Sequence, residues 1–458
     1  MNQALYRLTP RIWACTVVVI LLFAAVYLFC IPPIVGVADD GDGVRISGPV
    51  GLDFPREVTA FNDRYGCWLR TKWTRVPAAP LPHFTTGQIP ARIAVNLSRL
   101  WNATTFDIRW MAGVHLAFML GIILALLRSV RELPRAAFLI VTVGSVLVCT
   151  DSGYIAYFNS FYEESAAFLG LLAFVAVGLA AATAGKLSGR HLLAITLAAG
   201  FFAGSKSQNT VLGLVAAGWL VLLFRNDRLR YAAAAAGLAL ACFSGFLVKR
   251  APSAPANLFH AIYFQVLEHS SDPRASLIEL GLKPETIVWK GKFFWDAHPD
   301  ATDMYPGKAS VLKLMVYYLR HLVVTFRIAR DSLILSNDVG YLGNYTKESG
   351  ASCLQRTRAF TGYDRLRSQL ASVWFVFPLL AANIAAVCIW RNRIAGLISI
   401  LAVMAVIAFA IGSLYDTGPH KHLFTFNLLF DVLMFADLAA AGAVPARALG
   451  RGRLGIHS

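Results

Sequence analysis

Ten apolar runs, none shorter than 15 residues, constrain this chain more than any other feature. They fall at 12–35, 109–127, 136–150, 165–184, 191–205, 210–224, 231–248, 371–390, 394–412 and 422–440. About 20 apolar residues in a helix cross a hydrocarbon core about 30 Å thick. Inside that core every backbone N–H and C=O must be satisfied within the protein, which an α-helix does by itself. The pattern predicts an all-α polytopic membrane protein with about ten transmembrane helices. Hydrophobic residues make up 57% of the chain and charged residues 15%. Soluble domains carry about 25% charged residues, so a string of soluble domains is excluded. The first run has basic residues ahead of it and Ala38 behind it, as a signal peptide has. Its apolar stretch is longer than a signal h-region, so it is expected to remain as the first helix. Runs 136–150 and 191–205 are short for a crossing, which predicts tilt or continuation into structure buried in protein.

The formal charge of +16 is distributed unevenly. Arg7 and Arg11, Arg128 to Arg135, Lys186 and Arg190, Arg225 to Arg230, Arg391 and Arg393, and Arg447 to Arg453 occupy alternate connections between runs. That alternation follows the positive-inside rule and predicts both termini on the cytoplasmic side. The basic charge is thus a topology signal, and no nucleic-acid partner is expected.

Three regions follow. Residues 1–248 form a transmembrane module whose first outer loop is 36–108. Residues 249–370 form a second ordered extracytoplasmic segment. Residues 371–458 hold the last helices and a cytoplasmic tail. Ile89 to Leu100 has helical apolar spacing, fitting either a helix along the membrane surface or one packed on its own loop. Helices are also expected over 257–268 and 275–282, with a new element at Pro284. Residues 311–328 read as one amphipathic or re-entrant helix. Two further crossings hidden in 249–370 would raise the count to twelve and leave the ends where they are. Cys15, Cys30, Cys149, Cys242 and Cys388 sit in or beside apolar runs and read as small core residues. Cys67 and Cys353 fall in the two outer segments, where a disulfide between them is compatible with an oxidising compartment.

Polar residues at the outer ends of the helices are the candidates for chemistry. Asp39, Asp40, Asp42 and Arg45 follow the first run. Asp151 to Glu164 is rich in aromatic residues and includes Tyr154, Tyr157, Phe158, Asn159, Tyr162 and Glu163. Ser205 to Asn209 contributes Lys206 and Gln208. Asp416, His420, Lys421 and His422 form a fourth cluster. A carboxylate at this depth can act as a general base or hold a divalent cation. Lys, His and Arg can bind phosphate oxygens. Aromatic rings can stack on sugar faces or anchor at headgroup level. Together these groups suit a lipid-linked phosphorylated sugar. Plainer readings stand beside each: a solvated Asp-rich turn, an interfacial aromatic belt, a snorkelling lysine, ordinary loop histidines. The DxDG pattern is similar to a calcium loop, but the rest of that loop is missing. Asp431, with Asn427 one turn earlier, lies inside the last run and reads as a helix-packing hydrogen bond or as part of a polar path.

The layout resembles the GT-C superfamily of polytopic glycosyltransferases, which use polyprenyl-phosphate sugars and keep acidic residues just after the first helix. More narrowly it resembles bacterial hexosyltransferases of surface-glycan (S-layer type) biosynthesis. Ala38 to Arg45, Tyr157 to Glu163, Ser205 to Asn209, Ile278 to Leu282 and Leu342 to Asn344 carry this resemblance. Gly43-Val44 departs from it, since an aromatic residue is expected after the last Asp. The resemblance implies a GT-C-like fold in a bacterial cytoplasmic membrane and an extracytoplasmic active site. It implies a polyprenyl-phosphate-linked donor, a glycan or lipid-linked acceptor, and contact with membrane lipid. Asp40 or Asp42 would be the catalytic base. Asp39, Arg45, Tyr157, Asn159, Glu163, Lys206, Gln208, His420 and His422 would bind substrate, with Lys206 and Arg45 or His422 on the departing phosphate. A divalent cation is compatible with the carboxylates; no other cofactor is implied. A flippase or transporter of lipid-linked sugars and a non-catalytic envelope-assembly subunit are the rival readings. A transporter would favour internal repeats, and none is evident.

Overall fold

The structure is a computed structural model that describes residues 3–79, 84–249, 254–294, 309–336, 343–370, 372–390, 392–415 and 419–451. It begins with α1 (Gln3–Phe29), which buries Val17, Leu21, Ala24 and Leu28 along one face. The first long loop contains β1 (Val35–Gly36), β2 (Leu52–Asp53), β3 (Lys72–Arg75), α2 (Gln88–Ser98) and β4 (Thr105–Asp107). The bundle continues with α3 (Arg109–Val130), α4 (Arg135–Thr150), α5 (Glu164–Thr183), α6 (Gly189–Ala203), α7 (Thr210–Phe224) and α8 (Arg230–Lys249). The second long segment holds α9 (Val311–Arg320), α10 (Leu322–Ser336), β5 (Asn344–Tyr345) and α11 (Gly362–Leu370). The chain then returns through α12 (Val373–Trp390), α13 (Arg393–Leu414) and α14 (Phe424–Arg451).

Each of the ten apolar runs is therefore a helix, and the chain is a polytopic all-α membrane protein. Among the described residues, seven helices are long and apolar enough to cross a membrane. An eighth is α4 taken with Ser152–Asn159, bent by 54°. That continuation is wholly buried, the outcome expected for a short run. α6 and the described part of α12 are apolar but shorter. α5 is the central helix: it packs against α3, α6, α13 and α14. It is apolar on all sides, as a helix enclosed by others must be.

The connections predicted to share one side do meet at one end. Asp40 contacts Tyr162 and Lys421, Thr85 bonds the Ser205 carbonyl, Gln208 bonds His422, and Asp364 bonds Asp151. In the first loop, α2 turns Ala91, Ala94 and Val95 onto a small core with Ile46, Trp73, Phe106 and Phe161. Its other face leaves Ile89, Ile93 and Leu97 exposed, so this helix has two apolar faces, one packed and one free. The loop also carries a three-stranded sheet, β2-β3-β4.

The second segment differs from expectation. The stretch 311–328 is two helices, not one: His321 breaks it, with φ −110° and ψ 59°. Among the described residues, no helix of 254–370 is long and apolar enough to cross, so the twelve-span option finds no support there. The described residues of 254–294 and 309–336 instead build a separate core around Phe259, Tyr263, Leu277, Trp289, Tyr317 and Ile328. Residues 343–370 join the first loop: β5 pairs antiparallel with β1, and Cys67 and Cys353 form a disulfide with Cα atoms 4.5 Å apart. Of the other cysteines only Cys149 is buried. Cys15, Cys242 and Cys388 lie on outward faces of apolar helices, because a membrane helix can point an apolar side chain at lipid at no cost, and Cys30 is exposed just beyond α1.

Removing this cross-link, with Cys67→Ser and Cys353→Ser together, is expected to cost about 2–4 kcal/mol. A melting temperature equal in oxidised wild type and the double variant would contradict that.

Candidate functional site

The turn after β1 is built by its glycines and by Asp39. Gly41 has φ +103°, which a residue with a side chain rarely adopts. A Cβ on Gly43 would sit 2.7 Å from the Asp39 carboxylate. The buried Asp39 Oδ1 accepts the Gly41 and Gly43 N–H groups at 2.8 and 3.0 Å. Burial raises its pKa to about 6, against the pull of those two amides. The turn is thus organised around Asp39 and presents Asp40 and Asp42 outward. The Asp40 side chain is 52% exposed.

Since its folded pKa exceeds the ordinary 3.8, Asp39 binds its proton more tightly in the native state than in the unfolded chain. Its contribution to stability therefore falls as pH rises from about 4 to about 6 and is level above that. Asp39→Asn keeps an acceptor for both amides and removes the cost of burying a charge. The variant should gain on the order of 2 kcal/mol over wild type near pH 7.5 and almost nothing near pH 4. Thermal unfolding at the two pH values is the check; an equal effect at both would remove Asp39 as the source.

Three other connections close on this turn. Lys421, on the short helix Pro419–His422, lies 3.2 Å from Asp40 Oδ2, contacts Asp42 Oδ2 and sits 4.6 Å from the centre of the Tyr162 ring. Tyr162 fixes the turn itself: its hydroxyl accepts the Asp40 N–H at 2.8 Å and donates to the Ala38 carbonyl at 3.0 Å. Arg45 pairs with Asp42 at 2.9 Å and reaches Glu163 at 3.8 Å. Although burial alone would raise the Asp42 pKa, Lys421 and Arg45 hold it well below the usual carboxylate range. Burial works against the charge on Lys421 too, and Asp42 and Asp40 outweigh it, so the lysine stays protonated. Behind this shell Lys206 and Glu164 form a buried pair at 2.7 Å. Gln208 Nε2 donates to His422 Nδ1 at 2.8 Å on a neighbouring connection.

The structure thus brings Asp39, Asp40, Asp42, Arg45 and Glu163 together, with Lys206 one layer behind. Two expected substrate contacts stand elsewhere. Tyr157 is buried between Tyr162 and Phe424, and Asn159 is buried with its Nδ2 donating to the Val35 carbonyl. Both support the turn from below, because the bend after α4 tucks this segment under β1. Lys206 is occupied by Glu164 and does not reach out as a phosphate ligand would. Asp416 and the side chain of His420 lie outside the described residues. The sequence reading missed Lys421 as the partner of the acidic turn, and Glu164 as the partner of Lys206. The only signal for Lys421 was its place in a short, polar loop on the predicted side. Among the described residues no group of three or more His, Cys, Asp or Glu side chains is arranged to hold a metal ion.

A second polar centre lies inside the bundle. Arg367 of α11 donates from Nε to Asp431 Oδ1 at 2.9 Å and from a terminal nitrogen to Asn427 Oδ1 at 2.6 Å. Tyr154 donates its hydroxyl proton to the other Asp431 oxygen. Asp431 is therefore the partner of a buried ion pair, not of a single hydrogen bond.

Fold and site together define a polytopic α-helical membrane protein with a carboxylate-rich centre at the end of its bundle that carries the long loops. The chain belongs to the family described as YfdI N-terminal transmembrane domain, whose pattern matches residues 2–444. No match was found among curated proteins. Among solved structures it is similar to the archaeal oligosaccharyltransferase AglB from Archaeoglobus fulgidus, in complex with an inhibitory peptide and a dolichol-phosphate. That similarity has 12% sequence identity and a TM-score of 0.43, and covers 98% of this chain and 52% of the other. The chain thus spans about half the length of that protein.

Proposed function

We propose that the chain is a GT-C-like membrane glycosyltransferase. It takes a sugar from a polyprenyl-phosphate-linked donor at the outer face of a bacterial cytoplasmic membrane and passes it to a glycan or lipid-linked acceptor. One observation carries this reading: an acidic turn directly after the first helix, with its own Arg45, meets Lys421 and Glu163 from two separate connections, and Asp40 is half exposed. The Cys67–Cys353 disulfide supports an oxidising, extracytoplasmic location for that end.

Asp40 is the candidate base, because its side chain is the more exposed of the two, 52% against 31% for Asp42. It takes the proton of the acceptor hydroxyl. The freed oxygen attacks the anomeric carbon, the bond from that carbon to the phosphate oxygen breaks, and the lipid phosphate leaves with the electron pair. Asp42 is held ionised between Lys421 and Arg45, which suits positioning those cations better than accepting a proton. Asp40→Asn and Asp42→Asn, introduced in a strain with an assayable surface glycan, test the assignment. Loss in the first is expected; unchanged glycan in both, at wild-type protein level, overturns it.

A further inference from the structure

The acidic centre is short of positive charge. Five carboxylates, Asp39, Asp40, Asp42, Glu163 and Glu164, face three cations, Arg45, Lys206 and Lys421, so its formal charge is −2. Each of those cations is already paired. An incoming phosphate finds a better electrostatic partner nearby. Arg356, Arg358 and Arg365 line a polar cavity of about 690 Å³, with Thr361, Tyr345 and a single carboxylate, Asp364.

This cavity is built on a held backbone. Leu354 and Phe360, at φ 59° and 54°, bracket the segment in a conformation that residues with side chains rarely adopt. Leu354 N–H donates to the Cys67 carbonyl at 3.1 Å, beside the disulfide, and Thr357 N–H donates to the Gly343 carbonyl at 2.7 Å. The Phe360 carbonyl accepts the Ser152 N–H at 3.0 Å, and Asp151 accepts the Asp364 N–H at 3.0 Å. Arg358 and Arg365 are nonetheless exposed and make no ion pair among the described residues. A fixed arch that displays guanidinium groups has prepaid part of the ordering cost of binding. The arginine fork matches two oxygens of a phosphate.

The arch also stands at membrane level. The Phe360 ring packs 5.6 Å from Tyr27 and 6.4 Å from Phe23, two exposed aromatic residues near the loop end of α1. Aromatic residues at the ends of spans mark the headgroup region. The cavity wall is close to the acidic turn as well: Tyr345 pairs with Val35 of β1, and Asn344 Oδ1 accepts the Ala38 N–H at 3.1 Å.

We propose that this cavity binds the phosphate group of a membrane lipid, with Arg358 and Arg365 as its main contacts. Free phosphate shares that chemistry. If the chain is a transferase as proposed above, the site docks the phosphate of the lipid-linked donor or of the lipid released. The test uses the full-length protein in phosphatidylcholine nanodiscs, titrated with undecaprenyl phosphate and separately with inorganic phosphate. No sugar or acceptor is present, so the result does not depend on Asp40. Arg358→Ala with Arg365→Ala should weaken binding of undecaprenyl phosphate about tenfold or more without lowering the melting temperature. Binding of inorganic phosphate alone, lost in the same variant, would overturn the lipid assignment. Unchanged binding of both probes in the folded variant would overturn the site. Should the double variant misfold, Asp364→Asn decides: removing the one opposing charge should tighten binding about threefold, and no change overturns the proposal.

Discussion

An Arg367→Ala variant is expected to lose about 3–5 kcal/mol of stability, the largest loss from any single substitution considered for this protein. Arg367 is 1% exposed and its partner Asp431 is fully buried. The guanidinium serves three acceptors from two elements: the Asp431 carboxylate, the Asn427 side chain and the Ser336 carbonyl. Truncation leaves a buried carboxylate in the bundle with Tyr154 as a hydrogen-bond donor but without its paired cation. Lysine is a poor substitute, since one ammonium cannot reproduce a planar fork. Removing both charges, with Arg367→Met and Asp431→Leu, should recover most of the loss, because no unpaired charge then remains. Thermal unfolding in nanodiscs and the yield of monodisperse protein measure this series. A single variant as stable as wild type would show that water reaches the pair.

Asp40→Asn is expected to reduce sugar transfer about 10²–10⁴-fold, the range for loss of a positioned general base. The substitution keeps the shape and an acceptor for the Asp42 N–H, which the carboxylate now takes at 3.2 Å. The fold should therefore be unaffected, and the loss should appear in turnover. Asp42→Asn should behave differently. It weakens the hold on both Lys421 and Arg45, so it should disturb the geometry of the turn along with the rate. Surface glycan at wild-type level in the Asp40 variant, with kinetics showing less than a tenfold loss, would remove this residue from the chemistry.

The helices were legible because the reason for them is local. Each apolar run must satisfy its own backbone in lipid, so run length predicts a helix without knowledge of neighbours. The acidic turn was legible for the same kind of reason. Gly41 needs a conformation that glycine adopts readily, and Gly43 leaves room for the Asp39 carboxylate two and four residues from the amides it accepts. The positive-inside pattern then predicted which connections share a side, and those connections do meet. Reading 311–328 as one helix failed because its periodicity continues through His321, while the chain turns there. The burial of Tyr157 and Asn159 beneath the turn was not legible, because the bend after α4 that tucks them in leaves no mark on composition.

The first helix and the turn that follows it show the division plainly. Sequence alone determined that α1 is a membrane helix, that a glycine-rich acidic turn follows it, and which loops lie beside it. Only the tertiary structure decided that Lys421, nearly four hundred residues away, pairs with that turn, that Arg367 enters the bundle to meet Asp431, and that Arg358 and Arg365 share a cavity. Local backbone chemistry is written in neighbouring residues. The pairing of charges across the chain depends on which helices pack together, and no spacing in the sequence records it.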